Sequence, residues 1–115
     1  MTPAAIEPLW AVTPEKLSEA VRRLVAAAQP RQIILFGSRA RGDAREDSDV
    51  DLLIVKSEVK DRVAEMIRLN RVLRGLILPA ELLVVSQRMF EQLSEIPGTV
   101  YYDARREGQI LYESA

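Results

Sequence analysis

Apolar residues along this chain switch between two periods, and the switches mark its elements. Leu17, Ala20, Val21, Leu24, Val25 and Ala28 recur at helical spacing, behind Thr13-Pro14 and ahead of Pro30. Threonine as an N-cap, proline in the first turn and proline as a stop predict a first helix over Pro14 to Ala28. Ile33 to Phe36 is a short apolar, β-rich run ending at Gly37, the pattern of a buried strand. Ser38 to Arg41 fits one helical turn, and the polar stretch from Gly42 to Ser48 fits a surface loop. Asp49 to Lys56 reads as a second strand, with Asp49, Asp51, Leu53 and Val55 on one face and Val50, Leu52 and Ile54 on the other. Apolar residues on both faces place this strand centrally, its carboxylates at the leading end.

Val59 to Arg74 is expected to form a long helix with Val63, Met66, Ile67, Asn70 and Leu73 on one side. Arg68, Arg71 and Arg74 suit its C-terminal dipole, and Gly75 is expected to close it. Pro79 precedes a third strand, Glu81 to Val85; Ser86 caps a helix from Gln87 to Ser94; Pro97-Gly98 breaks the chain. Thr99 to Arg106 reads as helix, Gly108 ends it, and Gln109 to Tyr112 is a final edge strand. This order predicts an α/β fold, a small mixed β-sheet flanked by helices. Met1 to Val12 holds two of the six prolines and reads as a loose lead-in, with Trp10 docked onto the core or another subunit. Residues 13–115 form one domain.

Composition narrows the chemistry. The chain has 115 residues, 48% of them hydrophobic and 29% charged, which suits one folded domain. It has no cysteine and no histidine, which removes thiol nucleophiles, the usual zinc sites and imidazole bases together. Catalysis must come from carboxylates, cations, hydroxyls and bound metal. A net charge of −1 speaks against a general nucleic-acid binder. No apolar run approaches a membrane span, and the N-terminus lacks the cationic region of a signal peptide, so the cytoplasm is expected.

What remains is the stretch GSRARGDAREDSDVDLLIV. Gly37-Ser38 forms a bend where glycine lets the backbone approach phosphate closely and the Ser38 hydroxyl can reach a phosphate oxygen. Asp49 and Asp51, two residues apart on a strand, point the same way. Two carboxylates so close oppose each other's ionisation unless a cation sits between them, and hard oxygen donors beside phosphate suggest Mg²⁺. Glu81 opens the next strand as Asp49 opens its own, and would supply a third carboxylate for a second metal or to activate an attacking hydroxyl. The reading is metal-assisted phosphoryl or nucleotidyl transfer. Arg39 and Arg41 flank the bend, where they either contact a triphosphate or face Asp43, Glu46 and Asp47 on a solvated surface. Tyr101-Tyr102 would stack on a base, meet a partner or pack in the core.

The Gly37-Ser38…Asp49-x-Asp51 pattern, with Ala40-Arg41-Gly42 between and Ser48 to Val55 after it, resembles the nucleotidyltransferase superfamily with the DNA-polymerase-β-like fold. More narrowly it is similar to the minimal nucleotidyltransferase (MNT) group, over about Gln32 to Val85. The resemblance implies Mg²⁺-dependent transfer of a nucleoside monophosphate from an NTP, with ATP as substrate, to an acceptor hydroxyl. Gly37, Ser38, Arg39 and Arg41 would bind phosphate, and Asp49, Asp51 and Glu81 would hold a two-metal site. Glu81 stands where the family usually has aspartate. Many MNT proteins are similar to antitoxins that add AMP to a tyrosine of a HEPN-domain toxin, which implies such a partner and a hetero-oligomer. Two other readings stand beside it: a non-catalytic module that masks its partner, and a free-standing transferase acting on RNA or a small molecule.

Overall fold

The computed structural model describes residues 9–45 and 48–115. Most of the expected lead-in, Met1 to Pro8, and the loop acids Glu46 and Asp47 lie outside the described residues. The elements are α1 (Pro14–Ala28), β1 (Gln32–Phe36), α2 (Ser38–Arg41), β2 (Val50–Lys56), α3 (Arg62–Val72), β3 (Ala80–Ser86), α4 (Gln87–Leu93), α5 (Val100–Glu107) and β4 (Gln109–Glu113). The Thr13 hydroxyl accepts the Lys16 N–H at 3.2 Å, and Gln29, in the left-handed region at φ 47°, returns its N–H to Val25 before Pro30 ends the helix. Ser86 and Thr99 cap α4 and α5 in the same way as Thr13 caps α1.

The four strands form one mixed sheet in the order β3-β2-β1-β4. β2 runs parallel to β3 and antiparallel to β1, and β1 runs antiparallel to β4. Alternation along the strands divides the core in two. Ile33, Leu35, Val50, Leu52, Ile54, Leu82 and Val84 meet Ala20, Leu24 and Ala28 of α1 and Leu69 of α3 on one face. Ile34, Leu53, Val55 and Val85 meet Phe90 of α4 and Ala104 of α5 on the other. β2 is therefore buried on both faces, as its unbroken apolar run requires. Gly108 joins α5 to β4 where a Cβ would run into the Ala104 carbonyl and the Ile34 side chain, so only glycine lets β4 start there.

Three expectations, all concerning α3, need correcting. α3 is shorter than the predicted Val59 to Arg74, starting after Asp61, whose side chain accepts the Ala64 N–H. Its buried side is Leu69 and Leu73 with Met66, whereas Val63 and Ile67 are 67% and 49% exposed. The cause is that charged residues occupy part of the inward side: Glu65, its side chain only 14% exposed, binds Lys56 and Arg68, and Arg62 donates to the Val84 carbonyl at 2.9 Å. Gly75 does not close the helix; Leu73 is the cap, and Gly75, at φ 86°, turns the chain two residues later. Of the two surfaces expected to dock Trp10, the chain's own core covers it only in part, leaving it 55% exposed. Among the described residues no helix is long and apolar enough to cross a membrane.

Candidate active site

The site lies where β1 ends and β2 and β3 begin. Parallel register sets Asp51 opposite Glu81, and antiparallel register sets Asp51 opposite Phe36, the residue before Gly37. Asp51 thus sits between the first residues of β3 and the bend leading to α2. It is half-buried, while Asp49 and Glu81 are exposed. Burial first, then the charges of Glu81 and Asp49, push the Asp51 carboxyl above the usual aspartate range; Arg41 pulls the other way. Asp51 and Glu81 also lie within hydrogen-bonding reach of each other. Among the described residues no three acidic side chains are already gathered closely enough to hold a metal ion. What has been brought together is a touching pair, Asp51 and Glu81, with Asp49 close enough to act on Asp51 by its charge.

The bend explains why glycine stands at position 37. Gly37 has φ 76° and ψ −157°, a region open essentially to glycine alone. A Cβ built there would collide with the Asp51 carboxylate oxygen Oδ2. The missing side chain is the space that Asp51 occupies. After Gly37, α2 makes a single turn in which the Ala40 and Arg41 N–H groups both bond the Gly37 carbonyl at 3.1 Å. Ser38 is the first residue of this turn, where helical geometry leaves the backbone N–H outside the internal bonds.

The two arginines differ. Arg41, exposed, pairs with Asp43 at 3.3 Å and Glu107 at 3.8 Å, and its charge reaches Asp51. Arg39 turns its guanidinium to the loop ahead of β2, donating to the Ser48 carbonyl from Nε at 3.0 Å and Nη2 at 2.7 Å. The tyrosines are not at the site. Tyr101 packs against the α4–α5 side of the core and its hydroxyl accepts from Arg62 at 3.0 Å, while Arg106 stacks on Tyr102 with its guanidinium 4.3 Å from the ring centre. Sequence reasoning missed the partners that are backbone atoms: the Ser48 carbonyl and the Pro79 carbonyl, which takes the Val50 N–H at 2.8 Å. No side-chain pattern encodes these. It also missed a cleft of about 460 Å³ at the opposite end of the sheet, between Gln32, Val55, Phe90, Arg105 and Glu113. Its lining mixes Arg31 and Arg105 with Glu91 and Glu113. The chemistry points to the carboxylates instead.

The mixed sheet, the glycine bend and the strand-end carboxylates are the architecture of a nucleotidyltransferase. The nucleotidyltransferase domain family matches residues 14–107, and the chain belongs to that family. A Methanocaldococcus jannaschii protein inferred to be a protein adenylyltransferase is 35% identical over 82 residues, 71% of this chain and 78% of that protein. A Sulfolobus solfataricus protein inferred to be a nucleotidyltransferase shares the fold, with a TM-score of 0.63 and 22% identity over 86% of this chain and 78% of its own. A Shewanella oneidensis complex of tri-AMPylated HEPN toxin with MNT antitoxin matches with a TM-score of 0.53 and 16% identity, over 87% of this chain and 71% of the matched one. The fold expected from the resemblance is the fold found.

Proposed function

We propose that this chain transfers AMP from ATP, with Mg²⁺, to a hydroxyl of a HEPN-type toxin, a tyrosine by preference, and so acts as its antitoxin. The observation that carries the reading is the Asp51 carboxylate, seated against Gly37 and opposite Glu81 at the mouth of the sheet. The likeness to a protein adenylyltransferase and to an MNT antitoxin bound to an AMPylated toxin supports the acceptor class.

The donor set fits a hard divalent cation. All three candidates are carboxylates; burial first, and then the charges of Glu81 and Asp49, raise Asp51's proton affinity, and the charge part is what a cation relieves. Asp49, Asp51 and Glu81 would hold it, and when bound it would neutralise triphosphate charge and make the acceptor hydroxyl more acidic. The Ser38 N–H and hydroxyl bind a phosphate oxygen, and Gly37 admits the phosphate to the backbone. Arg41 faces the leaving pyrophosphate. The acceptor oxygen forms a bond to the α-phosphorus, the bond from that phosphorus to the bridging oxygen breaks, and pyrophosphate leaves. The hydroxyl proton passes through the exposed Glu81 carboxylate to solvent.

Incubation of the protein with α-labelled ATP, Mg²⁺ and a HEPN-type toxin tests this. Label on the partner is expected, with a loss of at least about a hundredfold in Asp49→Asn/Asp51→Asn, since the cation's contribution is several kcal/mol. Transfer that survives in the double variant refutes the enzymatic reading. Full neutralisation of the toxin by a transfer-dead variant would establish masking in its place, and label on RNA or a small acceptor alone would redirect the activity.

A further inference from the structure

Asp49 precedes β2 by one residue and lies outside its register, so no strand ladder fixes it. Its flanks are pinned instead. On the downstream side the Val50 N–H bonds the Pro79 carbonyl at 2.8 Å. On the upstream side the Arg39 guanidinium closes on the Ser48 carbonyl with two N–H groups, at 3.0 and 2.7 Å, and Nη2 reaches the Arg45 carbonyl at 3.5 Å. Ser48 is also tied back to Arg45, through its N–H to the Arg45 carbonyl at 3.0 Å and its hydroxyl from the Arg45 N–H at 2.8 Å.

From this geometry we infer that Arg39 is a positioning residue, which sets Asp49 for cation binding by strapping Ser48, and that α2 serves as a two-sided clamp on the carboxylates. Gly37 at the head of α2 fixes Asp51 by contact, and Arg39 two residues on fixes Asp49 through the backbone. The guanidinium suits this work because its planar fork can place two donors on one oxygen and hold it in direction as well as distance. A carbonyl cannot be replaced by mutation, so the strap is visible only from the arginine's side. The inference rests on the proposed cation site.

Electrostatics makes the test sharp. Removing a positive charge beside carboxylates strengthens cation binding by Coulomb's law alone. A positioning role predicts the opposite sign. Mn²⁺ binding is measured by paramagnetic resonance titration in the wild-type protein, Arg39→Gln and Arg39→Lys, and binding of a fluorescent ATP analogue is measured in EDTA. Arg39→Gln is expected to bind Mn²⁺ about tenfold more weakly, the lower end of what outer-shell partners of metal ligands contribute. Arg39→Lys, with its charge kept and its fork lost, recovers part of that, and leaves metal-free nucleotide binding within twofold. Unchanged or tighter Mn²⁺ binding in Arg39→Gln overturns the inference. So does a loss in Arg39→Lys confined to the nucleotide, which would mark direct phosphate contact. Should Arg39→Gln fail to fold, Arg39→Lys decides alone: a Mn²⁺ loss supports the strap, wild-type Mn²⁺ binding overturns it. Wild-type protein that binds no Mn²⁺, or binds it equally well as Asp49→Asn/Asp51→Asn, refutes the cation site itself, a result separate from either Arg39 outcome.

Discussion

Replacing Gly37 by alanine places a methyl group where the Asp51 carboxylate oxygen lies. Two separable effects follow. The backbone at φ 76° and ψ −157° is disfavoured for any L residue, at roughly 1–3 kcal/mol. The methyl also collides with Asp51 Oδ2, and overpacking of this kind costs about 1–3 kcal/mol more. Only the second effect depends on Asp51. In a double-mutant cycle, Gly37→Ala should therefore destabilise the wild-type background more than an Asp51→Ala background, by about the size of the overpacking penalty. Gly42→Ala is the control: φ is 82°, yet a Cβ there meets nothing within 4 Å. It should lose roughly 1–2 kcal/mol from backbone strain and show no coupling to Asp51.

Urea midpoints of the four proteins in the cycle supply the stabilities, and AMP transfer supplies the functional readout. A displacement of about 1 Å in a reacting constellation costs on the order of a hundredfold, so Gly37→Ala should lose about that much activity while Gly42→Ala stays within a few-fold of wild type. A coupling below about 0.5 kcal/mol, the range in which independent sites add, would refute the argument that glycine is required at position 37 by the carboxylate. Equal activity in the two glycine variants would refute it from the other side.

The remaining predictions concern charge and packing. Asp51→Asn should raise the urea midpoint of the cation-free protein at neutral pH; a raised carboxyl pKa means folding is favoured with the proton on and loses that advantage as pH rises, so the variant's gain should shrink toward the ordinary aspartate value. A variant less stable than wild type at pH 7 would contradict this. Glu65 runs the other way, held down to about 2 first by its hydrogen bond to Arg68 and then by Lys56, so its contribution is present above the usual 4.5 and disappears as pH falls toward 2. Glu65→Gln should cost ~1–2 kcal/mol at pH 7, discounted because Arg68 is exposed, and the difference should close in acid; a constant gap across that window would refute the ion-pair account. Leu69→Ala should cost about 2–5 kcal/mol and Ile67→Ala under about 1 kcal/mol in denaturant titrations, and equal costs would mean α3 is turned as its apolar residues alone suggest.

The parts of this molecule that could be read from its residues are those in which side chains decide the outcome locally. Thr13, Pro14 and Pro30 bound α1, and the double-sided apolar run of β2 placed it in the middle of the sheet, as found. The placement of Glu81 at the head of its strand, like Asp49 at the head of its own, carried through to a parallel register that sets Glu81 opposite Asp51. The face of α3 could not be read this way. Val63, Ile67 and Asn70 offer a stripe as regular as the true one, roughly one residue's step around the helix. The tie is broken by Glu65 and Arg62, which turn inward only because Lys56 and the Val84 carbonyl wait for them. Those partners belong to other elements, and a periodicity count excludes charges from the core before it can find them.

The same reasoning explains why the acids sit where they do. A carboxylate withdrawn from water beside two others weakens the folded state, so it must be carried by an element that does not yield. β2 is that element: Val50 and Leu52 to Val55 are buried, and it is bonded to a strand on both sides. Asp51 is the second residue of β2, paired with Phe36 at the end of β1 and with Glu81 of β3, and two residues upstream Asp49 has no strand to hold it. Asp49 is flanked instead by two bonded neighbours, Ser48, whose carbonyl accepts from Arg39, and Val50, whose N–H donates to the Pro79 carbonyl. The two aspartates are thus held in different ways, Asp51 by the sheet and Asp49 through the backbone contacts of its neighbours. On the proposed reading both carboxylates must keep their place while a triphosphate and its cation enter, and the sheet would serve Asp51 in this as the strap would serve Asp49.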